Sequence, residues 1–417
     1  MYEREVVFMA SVLVIGGGAS GLVASIYASL NNKVILIDKN NNLGKKILMT
    51  GNGKCNYWNK DISIKHYNSS DIDLLNKIIT NENKLEIENF FKRLGIVPKI
   101  RDSYYYPASN QATSIQTALV LEAELSGVEI LNNEEVLLVD KYSDKYKVIT
   151  SNREIVVDKI VLATGSKACP KTGSTGFGYE IASKFGHTIV EPLPALVQLR
   201  LDGKYFKEWA GIRSDVSVKL YENNKLIKEA RGEIQLTDYG VSGICVFQLS
   251  SLVSRGLYNS YKEEIEINFL NSLNIYNEVD FIKYFDDRNI LVKNRTISQL
   301  LDGILNYKLI NLFLKISKID RDIKWEDISK DKKLLLGRLL TKNRLLVNDT
   351  NGFDSAQVCS GGVKLSEINL NTMESLKQKG LYIVGELLDV DGECGGFNLG
   401  FAWISGYLAG KSISDIK

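Results

Sequence analysis

The sequence predicts an α/β fold: both ends of the chain build one parallel-sheet domain, and the middle forms an insertion, part β-barrel-like and part helical. Three observations carry this. A β-branched strand, residues 11–15, runs into a glycine-rich turn and a small-residue helix, and a second apolar strand follows at 33–38; a strand–helix–strand start implies parallel strands. Another apolar strand, residues 380–384, lies near the C-terminus and leads into a second glycine-rich turn and helix. Between these ends the pattern changes at Pro192 and Pro194, first to alternating residues and then to Leu and Ile at helical spacing.

Taken in chain order, residues 20–30 read as the first helix, 73–94 as one amphipathic helix, and 128–139 as a strand. Residues 145–157 read as a polar-edged hairpin and 159–163 as a buried strand ending in Thr164-Gly165. Tyr104-Tyr105-Tyr106-Pro107 reads as a strand edge stopped by proline. Short strands such as 217–221 suggest an antiparallel or barrel-like unit, 274–340 is mainly helical, and a last helix opens at Gly395. The predicted domains are therefore 1–192, the N-terminal part of the sheet domain; 193–273, a barrel-like insertion; 274–340, a helical subdomain; and 341–417, the return to the sheet domain.

Composition excludes several classes. Hydrophobic residues make up 44% of 417 and charged residues 24%, enough apolar material for a real core. With 52 Lys and Arg against 50 Asp and Glu, nothing argues for a nucleic-acid or anionic-membrane partner. The run of basic residues over 330–344 reads as a solvated helix face. Five cysteines without a C-x-x-C pair read as reduced thiols of a cytoplasmic protein, and two histidines make a histidine-rich metal site untenable. The apolar run 6–30 is broken by Gly16, Gly17, Gly18 and Gly21 and follows acidic residues, so it reads as a buried strand and helix rather than a signal peptide. Residues 1–8 read as an extra leader, with Met9 an alternative start.

Gly16-Gly17-Gly18-Ala19-Ser20-Gly21 matches G-x-G-x-x-G directly after a strand and at the opening of a helix. Gly16 permits the tight turn, Gly18 lets backbone approach a pyrophosphate at the helix's positive end, and Gly21 allows close helix–strand packing. Asp38, at the end of the next strand, is placed to hold a ribose hydroxyl. This motif predicts a dinucleotide without saying which. The C-terminal end narrows the choice. Gly385-Glu386 follows the late strand, Asp389 and Asp391 lie just beyond, and Gly395-Gly396-Phe397-Asn398 opens a small-residue helix. A helix N-terminus aimed at a flavin pyrimidine stabilises the negative charge that develops there on reduction, and a simple nicotinamide dehydrogenase needs no such second element. Ala163-Thr164-Gly165 fits the same scheme as a close crossing. The cofactor predicted is FAD.

The segment 43–56 (LGKKILMTGNGKCN), together with 385–392 (GELLDVDG) and 395–399 (GGFNL), resembles the signature of a group of bacterial NAD(P)/FAD-dependent oxidoreductases of aminoacetone-oxidase-like or bile-acid-reductase-like type. Gly232-Glu233, Thr237-Asp238-Tyr239-Gly240 and Ser242-Gly243 fit its middle region, so the resemblance spans the chain. It implies a Rossmann-like two-dinucleotide-binding FAD domain with an inserted β-barrel-like domain and a small helical subdomain. It also implies that the strand at Val136 offers backbone to the adenine. The candidate FAD positions are Gly16, Gly18, Ala19, Ser20, Gly21, Asp38, Lys39, Lys45, Thr50, Gly51, Gly53, Val136, Ala163, Thr164, Gly165, Gly385, Glu386, Asp389, Gly396, Phe397 and Asn398.

No nucleophile constellation is visible, so the flavin is expected to do the chemistry while the protein binds, orients and polarises. The expected reaction moves hydride from NAD(P)H, bound transiently for want of a second G-x-G-x-x-G, to an electron-poor small molecule such as an enone or quinone. The barrel-like insertion would cover the flavin ring, with 237–243 as its floor and Asp238 and Tyr239 as weak catalytic candidates. Where relatives carry His, this chain has Asp238, which reads more simply as a turn cap. Two rivals are an amine oxidase and a flavin-bearing RNA-modification accessory protein. Cys55 reads as a packed thiol rather than a redox group.

Overall fold

The computed structural model describes residues 10–415. The proposed leader and the choice between Met1 and Met9 lie outside the described residues. Among the described residues two compact units are present: residues 10–193 with 357–415, and residues 194–356.

The first unit is built on a five-stranded sheet, ordered Leu381–Ile383, Lys159–Leu162, Ser11–Ile15, Lys33–Ile37, Glu129–Leu131, with every pair parallel. The strands are short, apolar and β-branched, as strands covered on both faces must be. Two glycine-marked helices pack together on the sheet. The first, Ala19–Ala28, meets the final helix, Phe397–Asp415, so closely that a Cβ on Gly406 would lie 2.4 Å from the Ser20 carbonyl oxygen and one on Gly410 2.6 Å from that of Ala24. The small residues of both helices are what permits this approach, and it brings the two ends of the chain together.

The predicted helix over 73–94 is two pieces. A 3₁₀ segment, Ile72–Lys77, precedes the helix Asn81–Arg93, whose N-cap Thr80 accepts a hydrogen bond from the Asn83 amide; an N-cap residue takes an extended conformation that a continuous helix cannot contain. The stretch 128–139 also divides. Glu129–Leu131 joins the parallel sheet, whereas Val136–Tyr142 joins the hairpin strands Lys145–Thr150 and Glu154–Val157. Tyr104–Pro107 is the middle strand of a three-stranded antiparallel sheet rather than an edge. Its proline is the strand's last residue, where a missing N–H costs little.

The second unit is a closed six-stranded barrel, in order Leu199–Leu201, Gly240–Gly243, Lys225–Leu236, Arg213–Glu222, Glu263–Asn268, Asn343–Thr350. The last of these corrects the predicted boundary near 340. Asn343–Thr350 pairs with both Glu263–Asn268 and Leu199–Leu201, so the barrel closes only after the helical stretch, and this unit runs to Ala356. Closure removes the two open edges that a five-stranded sheet would leave. The intervening helices Glu278–Leu291, Ile297–Leu301, Tyr307–Ile316 and Lys330–Thr341 begin at Asn277, Thr296, Asn306 and Ser329; the first three of these cap with their side chains, Thr296 in a capping box with Gln299. Phe281, Phe285 and Trp325 pack ring against ring beneath them. Among the described residues no helix is long and apolar enough to cross a membrane.

Candidate functional site

Gly16, Asp38, Thr164, Gly165 and Gly385 lie just past the C-terminal ends of four of the parallel strands. Gly16 takes a positive φ of 104°, donates its N–H to the Ile37 carbonyl at 2.9 Å, and a Cβ there would lie 2.4 Å from the Ala163 oxygen. A Cβ on Gly21 would lie 1.9 Å from the Gly16 oxygen. Both glycines are demanded by packing. Gly18 is different: a Cβ there would meet nothing within 4 Å, although the residue is the N-cap of the first helix and has no side-chain cap. The opening N–H groups of that helix therefore face a cradle that a side chain would fill, the geometry that suits a pyrophosphate.

Asp38 secures this turn from within. One carboxylate oxygen accepts the Gly17 N–H at 2.8 Å; the other accepts the Asn40 backbone and side-chain N–H groups at 2.8 and 2.9 Å. Lys39 pairs with Glu135 at 3.6 Å, and exposed Lys45 reaches Asn40 at 3.4 Å. Thr50 bonds its own helix at Ile47, while Gly51 and Gly53 take positive φ on an exposed loop. Val136 is buried at the start of its strand. Thr164 lies against Gly178, where a Cβ would come within 2.0 Å of its hydroxyl, and Gly165 follows at positive φ.

The C-terminal motif meets the N-terminal one directly, since a Cβ on Gly385 would lie 2.4 Å from the Ser20 hydroxyl. Three of its predicted side chains, however, are turned into the protein. Glu386 pairs with Lys46 at 2.6 Å and accepts from Ser166 at 2.7 Å and from the Cys359 amide at 3.1 Å. Asp389 accepts both the amide and hydroxyl of Ser70. The Asn398 side chain closes a ring with Gly392, accepting its N–H at 2.8 Å and donating to its carbonyl at 2.7 Å. These groups hold loops in place, and Lys46, the neighbour of the predicted Lys45, is the inward-facing lysine of the motif.

The turn ahead of the final helix has a neighbour that sequence reading missed. His66 lies beside it, because Tyr67–Asn68 pairs with Asp391–Gly392 and the Glu393 amide donates to the His66 carbonyl at 2.9 Å. The His66 ring stacks on Phe397, with centroids 4.3 Å apart, and its Nδ1 lies 2.9 Å from a Glu393 carboxylate oxygen. Its Nε2 is enclosed without a hydrogen-bond partner. A lone histidine far from any motif gave no sequence signal. The other histidine, His187, is buried and engaged at both nitrogens, by Glu367 at 3.2 Å and the Ser375 hydroxyl at 2.7 Å, and burial depresses its pKa.

In the barrel unit, the turn at 237–240 closes through a Thr237 amide to Gly240 carbonyl bond of 3.0 Å. Asp238 is exposed on it, Arg200 lies 5.4 Å over the Tyr239 ring, and the Thr237 hydroxyl is enclosed without a partner. The thiols of Cys55, Cys245 and Cys394 are pushed up to about 12 by burial, and that of Cys359 to about 11. They are protonated near neutrality and lack the thiolate that redox chemistry requires.

The glycine cradle at the start of the first helix suits a dinucleotide, and the chain is a flavoenzyme, an FAD-dependent oxidoreductase. The family model described as the HI0933-like protein Rossmann domain matches residues 10–412, and the chain belongs to that family. It is 36% identical over 406 residues to a 3-dehydro-bile acid delta(4,6)-reductase of Clostridium scindens, covering 96% of this chain and 98% of the relative. It is 29% identical to a ribosomal RNA dihydrouridine synthase of Haemophilus influenzae, covering 96% and 98%. The 3-ketosteroid delta1-dehydrogenase of Sterolibacterium denitrificans superposes with a TM-score of 0.50 at 10% identity, over 97% of this chain and 99% of that one, a likeness of fold alone.

Proposed function

We propose that this enzyme reduces a carbon–carbon double bond conjugated to a carbonyl in a steroid-like small molecule, using hydride drawn from NAD(P)H. The observation that carries the reading is the near full-length match to a relative whose name denotes such a reduction. Bound FAD supplies the two-electron chemistry. Residues of this chain prepare its site: Gly18 leaves the first helix's N–H groups open to the pyrophosphate, and Gly16, Gly21 and Asp38 fix the turn that carries them. The Lys46–Glu386 pair ties the loop after the second strand to the one after the last. The N-terminus of the final helix offers positive potential where charge grows on a reduced ring.

The test is anaerobic stopped-flow absorbance. NADH or NADPH should bleach the flavin within seconds, and a steroid enone should restore its colour faster than air does. Reduction by an amine but by neither nicotinamide would replace this reading with an oxidase, and reoxidation by RNA alone would replace it with an RNA-modifying role.

A further inference from the structure

We propose that His66 is a flavin contact: its Nε2 hydrogen-bonds the polar edge of the bound ring, and Glu393 orients the imidazole. The inference rests on the FAD reading and extends it to residues that neither motif contains.

The argument begins with the orphan atom. An enclosed nitrogen with no partner costs about 1–3 kcal/mol, so such groups ordinarily mark a missing ligand or water. Here it belongs to a ring held on three counts: Glu393 on Nδ1, Phe397 against its face, and the backbone ladder of residues 67–68 with 391–392. A carboxylate on Nδ1 fixes the tautomer and leaves Nε2 to face a ligand. The ring also abuts the first residue of the final helix, whose N-terminus is the element suited to a reduced flavin. The titratable neighbours on the packed elements are Glu393, Cys394, Tyr104 and Tyr67. Burial raises the last three, which leaves them neutral near pH 7. Asp391, the remaining acid of this turn, accepts from Asn68 at 2.9 Å. A hydrogen-bond donor so placed stabilises an anionic reduced ring more than an oxidised one, and should raise the flavin's midpoint potential.

The test uses the full-length protein and three variants. H66F keeps the stack on Phe397 without the nitrogen, H66Q keeps a donor, and E393Q removes the orienting charge. FAD titration into apoprotein should show about tenfold weaker binding in H66F, the size of one hydrogen bond to a charged or polar partner, with most of it recovered in H66Q. The midpoint potential of the bound flavin should fall in H66F and E393Q. Unchanged FAD affinity and potential in H66F would overturn the proposal and make His66 a packing residue. Failure of the wild-type protein to bind FAD would instead overturn the cofactor reading on which the proposal stands.

Discussion

Single residues in this site divide into those that packing demands and those that only a ligand demands, and substitution should separate them. Gly18→Val adds a side chain where the fold leaves open space, at a φ of −81° that a β-branched residue adopts without strain. The apoprotein should keep its melting temperature while FAD affinity falls by about a hundredfold or more, some 2.7 kcal/mol, as measured by fluorescence titration. Retained affinity would reduce the turn to a structural device. Lys46→Met should act in the opposite manner. It leaves the Glu386 carboxylate, largely shielded, without its cation. The expected loss is about 1–3 kcal/mol of stability, below the range for fully buried pairs because both side chains keep some solvent contact. The double variant K46M/E386Q should lose less than K46M alone, since no uncompensated charge remains. A double-mutant cycle by denaturant unfolding decides this, and an additive result would mean that the pair does not couple.

At the scale of the element, the barrel contains a carboxylate with no partner. Glu263 begins a barrel strand, is 1% exposed, and faces Glu222 across the ladder and Gly256 of the helix Ile244–Tyr258, where a Cβ would lie 1.7 Å from its oxygen. Burial, and then the charge of Glu222, push its pKa up to about 7. The sign follows directly. The folded state favours the protonated form, so this group's contribution is fully present below the ordinary carboxyl value of about 4.3 and is lost as pH rises through 7. Glu263→Gln, neutral at every pH, should melt with the wild type at pH 4 and a few degrees above it at pH 8, at about 2–4 °C per kcal/mol for a unit of this size. Calorimetry at the two pH values checks it; a variant that is less stable at both would show that the carboxylate has a favourable partner.

For the whole molecule, mass action gives the broadest test. FAD that binds only the folded first unit should stabilise it by about 2.7 kcal/mol at a free concentration a hundred times its dissociation constant. A thermal scan should show that gain with FAD, and none in Gly18→Val. No shift with any concentration of FAD would sink the cofactor assignment.

What the amino-acid sequence determined by itself was whatever local chemistry dictates. The strand–glycine–helix start, the late strand with its second glycine turn, the parallel sheet, and an insertion of mixed character were all legible, because G-x-G-x-x-G and apolar β-branched runs carry their meaning within about ten residues. The break at Thr80 and the division of 128–139 were less legible, since a cap competes with continuing amphipathic periodicity and a strand's partner lies far off in sequence. Tertiary structure alone decided three things. It closed the barrel with Asn343–Thr350, a pairing across more than 70 residues of intervening helices. It chose Lys46 over Lys45 and turned Glu386, Asp389 and Asn398 inward, because which side of a loop faces the protein depends on what folds against it. And it set His66 against Glu393 and Phe397, 327 residues and more along the chain, a meeting that no local pattern encodes because Phe397 is legible in its own motif but the histidine that packs on it is not.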